Sequence, residues 1–385
     1  MKAPQLLSAH AGHWTGRGTG VTVIVPPPGT IASGEVRGGA PATREFELLA
    51  PVRTVSQVDA VVLSGGSAFG LAAGDGVMRS LRAADRGFAT PLGPVPIVVG
   101  MSIFDGSVAS LGGLAAGFAG PVAGLGGSAE GFAGPAEGFA GPVAGFAGSV
   151  AGAPPDSSAG AAALEAAWSG VPFATGAVGA GAGATTGKWR GRLDPGGVGV
   201  AQAAAGAATV VAVVVVNAWG DVLGGDGRPL FGDAEAVTPA NPFSSSPGGA
   251  VSGGAASGGA APGGAAPGGA TPGGAASGCA APGGAALHAG AASAGAGSAV
   301  HSARANTTIG VLLTDALLDK TGCFLLAQSG HSGYARALHP SHSRYDGDAV
   351  VALATGAVPD ADLDLLRAVA VTAMADAIRA AVIRA

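Results

Sequence analysis

The run from Ala208 to Val216, Ala-Thr-Val-Val-Ala-Val-Val-Val-Val, constrains this chain more than any other stretch. Its β-branched residues favour extended backbone. Apolar side chains at both odd and even positions leave no face for water, so the run reads as a strand buried on both sides. Counted from Ala207 it is about half of what a membrane-spanning helix needs, and it ends at a polar residue, Asn217. Shorter strands are expected at Val21–Val25, halted by Pro26-Pro27-Pro28, at Ala60–Leu63, Pro96–Val99 and Ile309–Leu313, and in the stretch Ser343–Gly356, which reads as a turn and a strand. Helical patterns run through Leu81, from Gly160 to Trp168, from about Asp315 to Leu338 and from Asp360 to Ile383.

Two biased tracts interrupt these elements. Glycine makes up 72 of the 385 residues, while charged residues are only 11% and aromatics 5%. Residues 113–155 repeat Gly-Phe-Ala-Gly-Pro-Val-Ala about every seven residues; two glycines per repeat, often with a proline, forbid a stable helix. Residues 243–300 repeat Gly-Gly-Ala-Ala-Pro-like units that have nothing to bury against their ordering entropy. Both are expected to be disordered insertions or linkers within one domain.

Composition also narrows function. A net charge of −5 offers no basic face for nucleic acid. The N-terminus lacks the uninterrupted apolar core of a signal peptide, and a cytoplasmic protein is expected. Cys279 and Cys323 have neither metal-ligand spacing nor a disulfide framework. His331, His339 and His342 read as surface histidines, since no metal motif accompanies them.

Five stretches carry candidate chemistry. The strand before Ser64 turns through Gly65, Gly66 and Ser67 into a helix, which either aims N–H groups at an anion or oxyanion, or simply makes a tight turn. The glycine run Gly176–Gly187, including Gly181 and Gly183, ends in Thr185, Thr186, Lys188 and Arg190. It lacks the spacing of a phosphate loop and suits close backbone packing or a substrate-lining loop. Asn217 is a strand-end amide. Asp346 and Asp348 flank Gly347 at a strand entrance, as a solvated turn or a carboxylate pair. Finally, Asn306-Thr307-Thr308 joins the second tract to a buried strand. That is an ordinary turn, or the place for a nucleophile that, once freed by cleavage, has its own α-amine as general base.

Taken in order, Glu35–Glu45, Ser64–Met78, Gly176–Gly187, Asn217, Asn306–Val311 and Tyr345–Gly356 resemble the P1-type, or S58, self-processing aminopeptidases, also called the L-aminopeptidase/D-amidase-esterase family. The resemblance covers most of the chain outside the two tracts. It implies an α+β fold, a four-layer α-β-β-α sandwich related to N-terminal-nucleophile hydrolases and to the ornithine-acetyltransferase type. It implies that the chain cuts itself between Asn306 and Thr307, that Thr307 is the nucleophile, and that Asn217 stabilises the oxyanion. Asp346 and Asp348 would orient Thr307 or hold a substrate ammonium, and Gly65, Gly66, Ser67, Gly181 and Gly183 would line the substrate. The implied partner is a short peptide, amide or ester, with no metal or cofactor, no nucleic acid and no membrane. The implied assembly is a ring-like homo-oligomer of processed heterodimers. Ala182 and Ala349 depart from the family, standing where many members have threonine, and both tracts are longer than usual. An acyltransferase of the ornithine-acetyltransferase type is the alternative chemistry. A non-catalytic relative using the tracts for interaction is the alternative without chemistry.

Overall fold

Successive residues of the strand Ala208–Asn217 go to two different cores. Val211, Val213 and Val215 enter one, and Val210, Ala212, Val214 and Val216 the other. The strand is therefore buried on both faces, as its unbroken apolar character demands. The computed structural model describes residues 5–111, 152–232 and 306–383. Nearly all of the tract at 113–155 and the whole of that at 243–300, with Cys279, lie outside the described residues.

The described strands are β1 (His10–Gly16), β2 (Thr19–Val25), β3 (Ile31–Val36), β4 (Thr43–Arg44), β5 (Ala60–Ser64), β6 (Val98–Ser102), β7 (Thr185–Thr186), β8 (Asp194–Pro195), β9 (Gly197–Ala205), β10 (Ala208–Asn217), β11 (Asp221–Val222), β12 (Thr307–Ala316), β13 (Leu338–His339) and β14 (Ala349–Val358). The helices are α1 (Ser67–Gly70), α2 (Ala73–Ala83), α3 (Ser157–Trp168), α4 (Lys320–Ala337) and α5 (Leu363–Val382). One sheet has the order β1-β2-β5-β6-β4 and the other β3-β14-β12-β10-β9. Within them β5–β6 and β12–β14 run parallel and the remaining neighbours antiparallel.

The two sheets face each other. Ile24, Val61, Leu63, Val99 and Met101 of the first meet Val211, Val213, Ile309, Val311, Leu313 and Val351 of the second. Val21, Val23, Val25 and Val62, on the other side of the first sheet, pack on Ala73, Val77 and Leu81 of α2 and on Ala159, Ala163 and Leu164 of α3. The outer side of the second sheet packs Leu312, Val350 and Ala352 on Leu326 and Tyr334 of α4 and on Leu366, Met374 and Ile378 of α5. This is the expected α-β-β-α sandwich. Each fully buried valine or leucine contributes about 1.5–3 kcal/mol, so three stacked cores are the main source of stability. Small residues set the helix spacing. A Cβ built on Gly160 of α3 would lie 1.9 Å from the Ala73 carbonyl oxygen of α2, and one on Gly76 would lie 1.7 Å from that of Ser157.

Element ends differ from the sequence reading where a cap decides them. β12 continues through Ala316, and α4 starts only at Lys320, after the Asp319 carboxylate accepts the Gly322 N–H at 2.7 Å. α5 starts at Leu363 because Asp362, not Asp360, caps it, accepting from Asp364 and Leu365. An acidic N-cap satisfies N–H groups that have no partner in the first turn. β1 and β9 carried no strand signal in the sequence: His-Ala-Gly-His-Trp-Thr-Gly and Gly-Val-Gly-Val-Ala-Gln-Ala-Ala-Ala have few β-branched residues. Their pairing with β2 and β10 makes them strands. Among the described residues, no helix is long and apolar enough to cross a membrane.

Candidate active site

Thr307 opens β12 at one edge of the sandwich. Antiparallel pairing with β10 places it directly opposite Asn217, the last residue of that strand. Parallel pairing with β14 then brings the turn before Ala349 alongside, so Asp346, Gly347 and Asp348 join the same corner. Asn217, Asn306, Thr307, Asp346 and Asp348 are all buried, none more than 3% exposed. The solvated-turn reading of the two aspartates is thereby replaced by a buried carboxylate pair.

The Thr307 hydroxyl donates to the Asn306 carbonyl oxygen, so the oxygen that would attack lies on the peptide group it would cut. A Cβ on Gly347 would come within 2.9 Å of Thr307 Oγ1 and 2.8 Å of the Ala40 carbonyl oxygen. Only glycine leaves room for the hydroxyl there. The segment Arg37–Ala40 braces the turn. The Arg37 N–H donates to the Asp348 carbonyl at 2.9 Å, the Gly38 N–H to the same carbonyl at 3.1 Å, and the Ala40 N–H to the Asp346 carbonyl at 2.9 Å.

The two carboxylates have different surroundings. Asp348 is fully engaged: Oδ1 accepts the Thr308 N–H at 2.7 Å, while Oδ2 accepts the His342 N–H at 3.1 Å and faces His342 Nδ1 at 2.8 Å. Asp346 Oδ2 accepts the Ser343 N–H at 2.8 Å. Burial, and then the charge of Asp348, push its carboxyl up to about 6. Such a group changes protonation near neutrality, as a proton carrier must.

Asn217 is held on both sides of its carboxamide. Oδ1 accepts from the Thr185 N–H at 3.0 Å and from Lys188 Nζ at 2.8 Å, and Nδ2 donates to the Phe104 carbonyl at 2.9 Å. Lys188 also donates to the Asn217 backbone carbonyl at 3.2 Å. Its short loop is tied to the chain beyond β10 by Gly187 N–H to Gly220 O at 2.9 Å and Trp189 N–H to Trp219 O at 3.0 Å. Burial pulls the Lys188 ammonium down to about 7, against the charges of Asp346 and Asp105.

The glycine loops lie beside this corner, around Asp105. The N–H groups of Gly65, Gly66 and Ser67 donate to Gly20 O at 2.9 Å, Asp105 Oδ1 at 3.2 Å and Ile103 O at 2.9 Å. Of the two readings open for this turn, they fit the tight one. Cβ atoms on Gly181 and Gly183 would fall 2.5 Å from Val198 N and 2.0 Å from Gly18 O, so these glycines serve close backbone packing. The surface reading of the histidines is overturned for His331, which is fully buried, with Nε2 3.0 Å from the Glu35 carbonyl. Burial pulls its imidazole down to about 4. His342 is half-buried beside Asp348 and stacks edge-on against His331 at 4.9 Å. Burial alone would lower His342, but the hydrogen bond and charge of Asp348 hold it above the usual range. Two features escaped the sequence reading: the Lys188–Asn217 contact and the Phe104–Asp105 segment. For Lys188 the signal was composition, since it is one of only three lysines in the chain and closes a glycine run.

A model of peptidase family S58 matches residues 7–153 and 149–385. The chain belongs to this family. An uncharacterized aminopeptidase of Mycobacterium tuberculosis is 35% identical over 366 residues, covering 92% of this chain and 78% of the relative. A Mycobacterium leprae protein of the same description is 34% identical over 350 residues, covering 88% and 71%. Two solved structures share the fold: a β-aminopeptidase of a Burkholderia species (20% identity, TM-score 0.56) and an L-aminopeptidase D-Ala-esterase/amidase of Ochrobactrum anthropi (17%, TM-score 0.56). Each superposition covers 97% of this chain and 84% of the other. The second of these is described as a variant of the N-terminal-nucleophile hydrolase fold.

Proposed function

We propose that this family S58 peptidase is a self-processing aminopeptidase/amidase whose nucleophile is Thr307. The observation that carries the proposal is the Thr307 hydroxyl seated on the Asn306 carbonyl, in a buried corner with a strand-paired amide on one side and two carboxylates on the other. In the first step Thr307 Oγ1 adds to the Asn306 carbonyl carbon. The C–N bond breaks, the Thr307 nitrogen takes the proton, and an ester joins the two parts. Water then hydrolyses that ester, leaving Asn306 as a carboxylate and Thr307 with a free amine and hydroxyl.

In turnover the same hydroxyl attacks the carbonyl of a short peptide, amide or ester, and water releases the acyl group. The Thr307 amine, with a reference pKa of about 8, serves as general base. Asn217 Nδ2 donates to the oxyanion; loss of one such donor typically costs ~10²–10³ in rate. Asp348, occupied on both oxygens, orients the start of β12. Asp346, titrating near neutrality, faces the substrate ammonium or carries a proton.

The test is the intact mass of the purified chain with N-terminal sequencing of its smaller fragment. The expected fragment has 79 residues (385 − 306) and begins Thr-Thr-Ile-Gly. Thr307→Ala should stay uncut and inactive; cleavage at this bond in that variant would sink the assignment.

A further inference from the structure

We infer that Lys188 is a positioning residue for the oxyanion donor: bonded to Oδ1 of Asn217, it fixes which way the carboxamide faces and lends its charge to the Nδ2 hydrogens. The inference rests on the reading of Thr307 as nucleophile.

An amide can flip, exchanging its donor and acceptor ends. At Asn217 a flip would place NH₂ against Lys188 Nζ, 2.8 Å away, and against the Thr185 N–H, 3.0 Å away, which are both donors. It would also turn the oxygen toward the Phe104 carbonyl, 2.9 Å from Nδ2. Lys188 is the charged member of this set and is itself 7% exposed. Its second bond, to the Asn217 backbone carbonyl at 3.2 Å, holds it at the strand end that faces Thr307. In a dry site a cation on the amide oxygen draws density from the nitrogen, and its N–H groups become stronger donors. The effect is greatest when negative charge develops on the attacked carbonyl, so it favours the transition state over bound substrate. Burial lowers the ammonium, and the charges of Asp346 and Asp105 act in the opposite sense and favour its charged form. A lysine that only filled space or neutralised Asp346 would give the same packing, but its removal would be felt independently of Asn217.

Self-cleavage of the full chain is the readout, because it needs no knowledge of the preferred substrate. First-order rates are taken by intact mass for wild type, Lys188→Met, Asn217→Ala and the double variant. Lys188→Met should slow cleavage by at least about tenfold, within the ~10²–10³ range of a lost oxyanion donor. Lys188→Arg should recover part of the rate. In the Asn217→Ala background, Lys188→Met should cost less than about twofold more, since the two act as one unit. Processed enzyme on an aminoacyl p-nitroanilide should show the loss in kcat with KM unchanged. Should Lys188→Met not fold, Lys188→Gln, which keeps a donor to Oδ1 without the charge, takes its place in the cycle. A wild-type chain that stays uncut overturns the nucleophile reading, and this inference with it. A wild type that cuts before Thr307 overturns the Lys188 inference alone if Lys188→Met cuts equally fast, or if the losses at Lys188 and Asn217 multiply.

Discussion

Asp348→Asn keeps the size and shape of the side chain and should still be costly. Each carboxylate oxygen of Asp348 receives a backbone N–H, from Thr308 at 2.7 Å and from His342 at 3.1 Å. An asparagine has only one acceptor oxygen. In either orientation its NH₂ meets a backbone donor, and one hydrogen bond to a charged group becomes a donor–donor contact in a buried site. Losing such a bond costs about 1.5–3 kcal/mol, and a stranded buried donor about 1–3 kcal/mol more, so a net loss of roughly 2.5–6 kcal/mol follows. The consequence is a fall in Tm on the order of 5–10 °C. The melts belong in a Thr307→Ala background, so that processing does not alter the species being unfolded. The deficit should be larger at pH 6 than at pH 8. His342 is held above its ordinary pKa by Asp348; stability from a raised group is present below the unfolded pKa and lost as pH rises through the folded one. In a chain with Thr307 intact, the Thr308 N–H anchor lies one residue from the proposed nucleophile. A misplacement of about 1 Å there costs on the order of 10² in rate. Unchanged melting together with an unchanged cleavage rate would refute the argument, because it would mean that both oxygens exchange freely with water.

Gly347→Ala places a methyl 2.9 Å from Thr307 Oγ1 and 2.8 Å from the Ala40 carbonyl oxygen, which is backbone and yields little. Overpacking of this kind costs about 1–3 kcal/mol, and self-cleavage followed by intact mass should slow while the far-UV spectrum keeps its native form. A wild-type cleavage rate would show that the turn is looser than its contacts imply. His331 is held neutral, pulled down to about 4 by burial. As pH falls from 6.5 toward 4 the unfolded chain takes up a proton that the folded chain refuses, so this residue makes stability fall. His331→Phe, which gives up the bond to the Glu35 carbonyl, should melt lower at pH 7 but show a shallower decline in Tm between pH 6.5 and 4.5. Parallel declines would remove His331 as the source.

Much of the layered fold could be read from residue patterns, because buried strands advertise themselves. Val21–Val25, Ala60–Leu63, Ala208–Val216 and Ile309–Leu313 are apolar on both parities, and all four lie in the central sheets. The longer strands that escaped, β1, β3 and β9, are edge strands rich in alanine, glycine and polar residues. Their extended form comes from hydrogen bonding to a neighbour, which no local propensity encodes. The candidate site residues carried weak local signals: a strand-end amide, a turn with two aspartates, a hydroxyl after a biased tract. Their order along the chain, matched to a family, made them candidates.

What the sequence by itself determined is the set of apolar strands and amphipathic helices, the family, and the list of polar residues at strand ends. Those follow from side-chain chemistry along a line, and residue order suffices for them. Tertiary structure alone decided which of those polar residues meet. Thr307 and Asn217 lie 90 positions apart (307 − 217) and become partners only through the β10–β12 register. Lys188 reaches Asn217 only because its loop is tied to Trp219 and Gly220. The same packing separated two aspartates that look equivalent in sequence. One is saturated with hydrogen bonds; the other is buried beside its twin's charge and driven up to about 6. Burial and neighbouring charge set a carboxylate's chemistry, and both are properties of the surroundings that folding assembles.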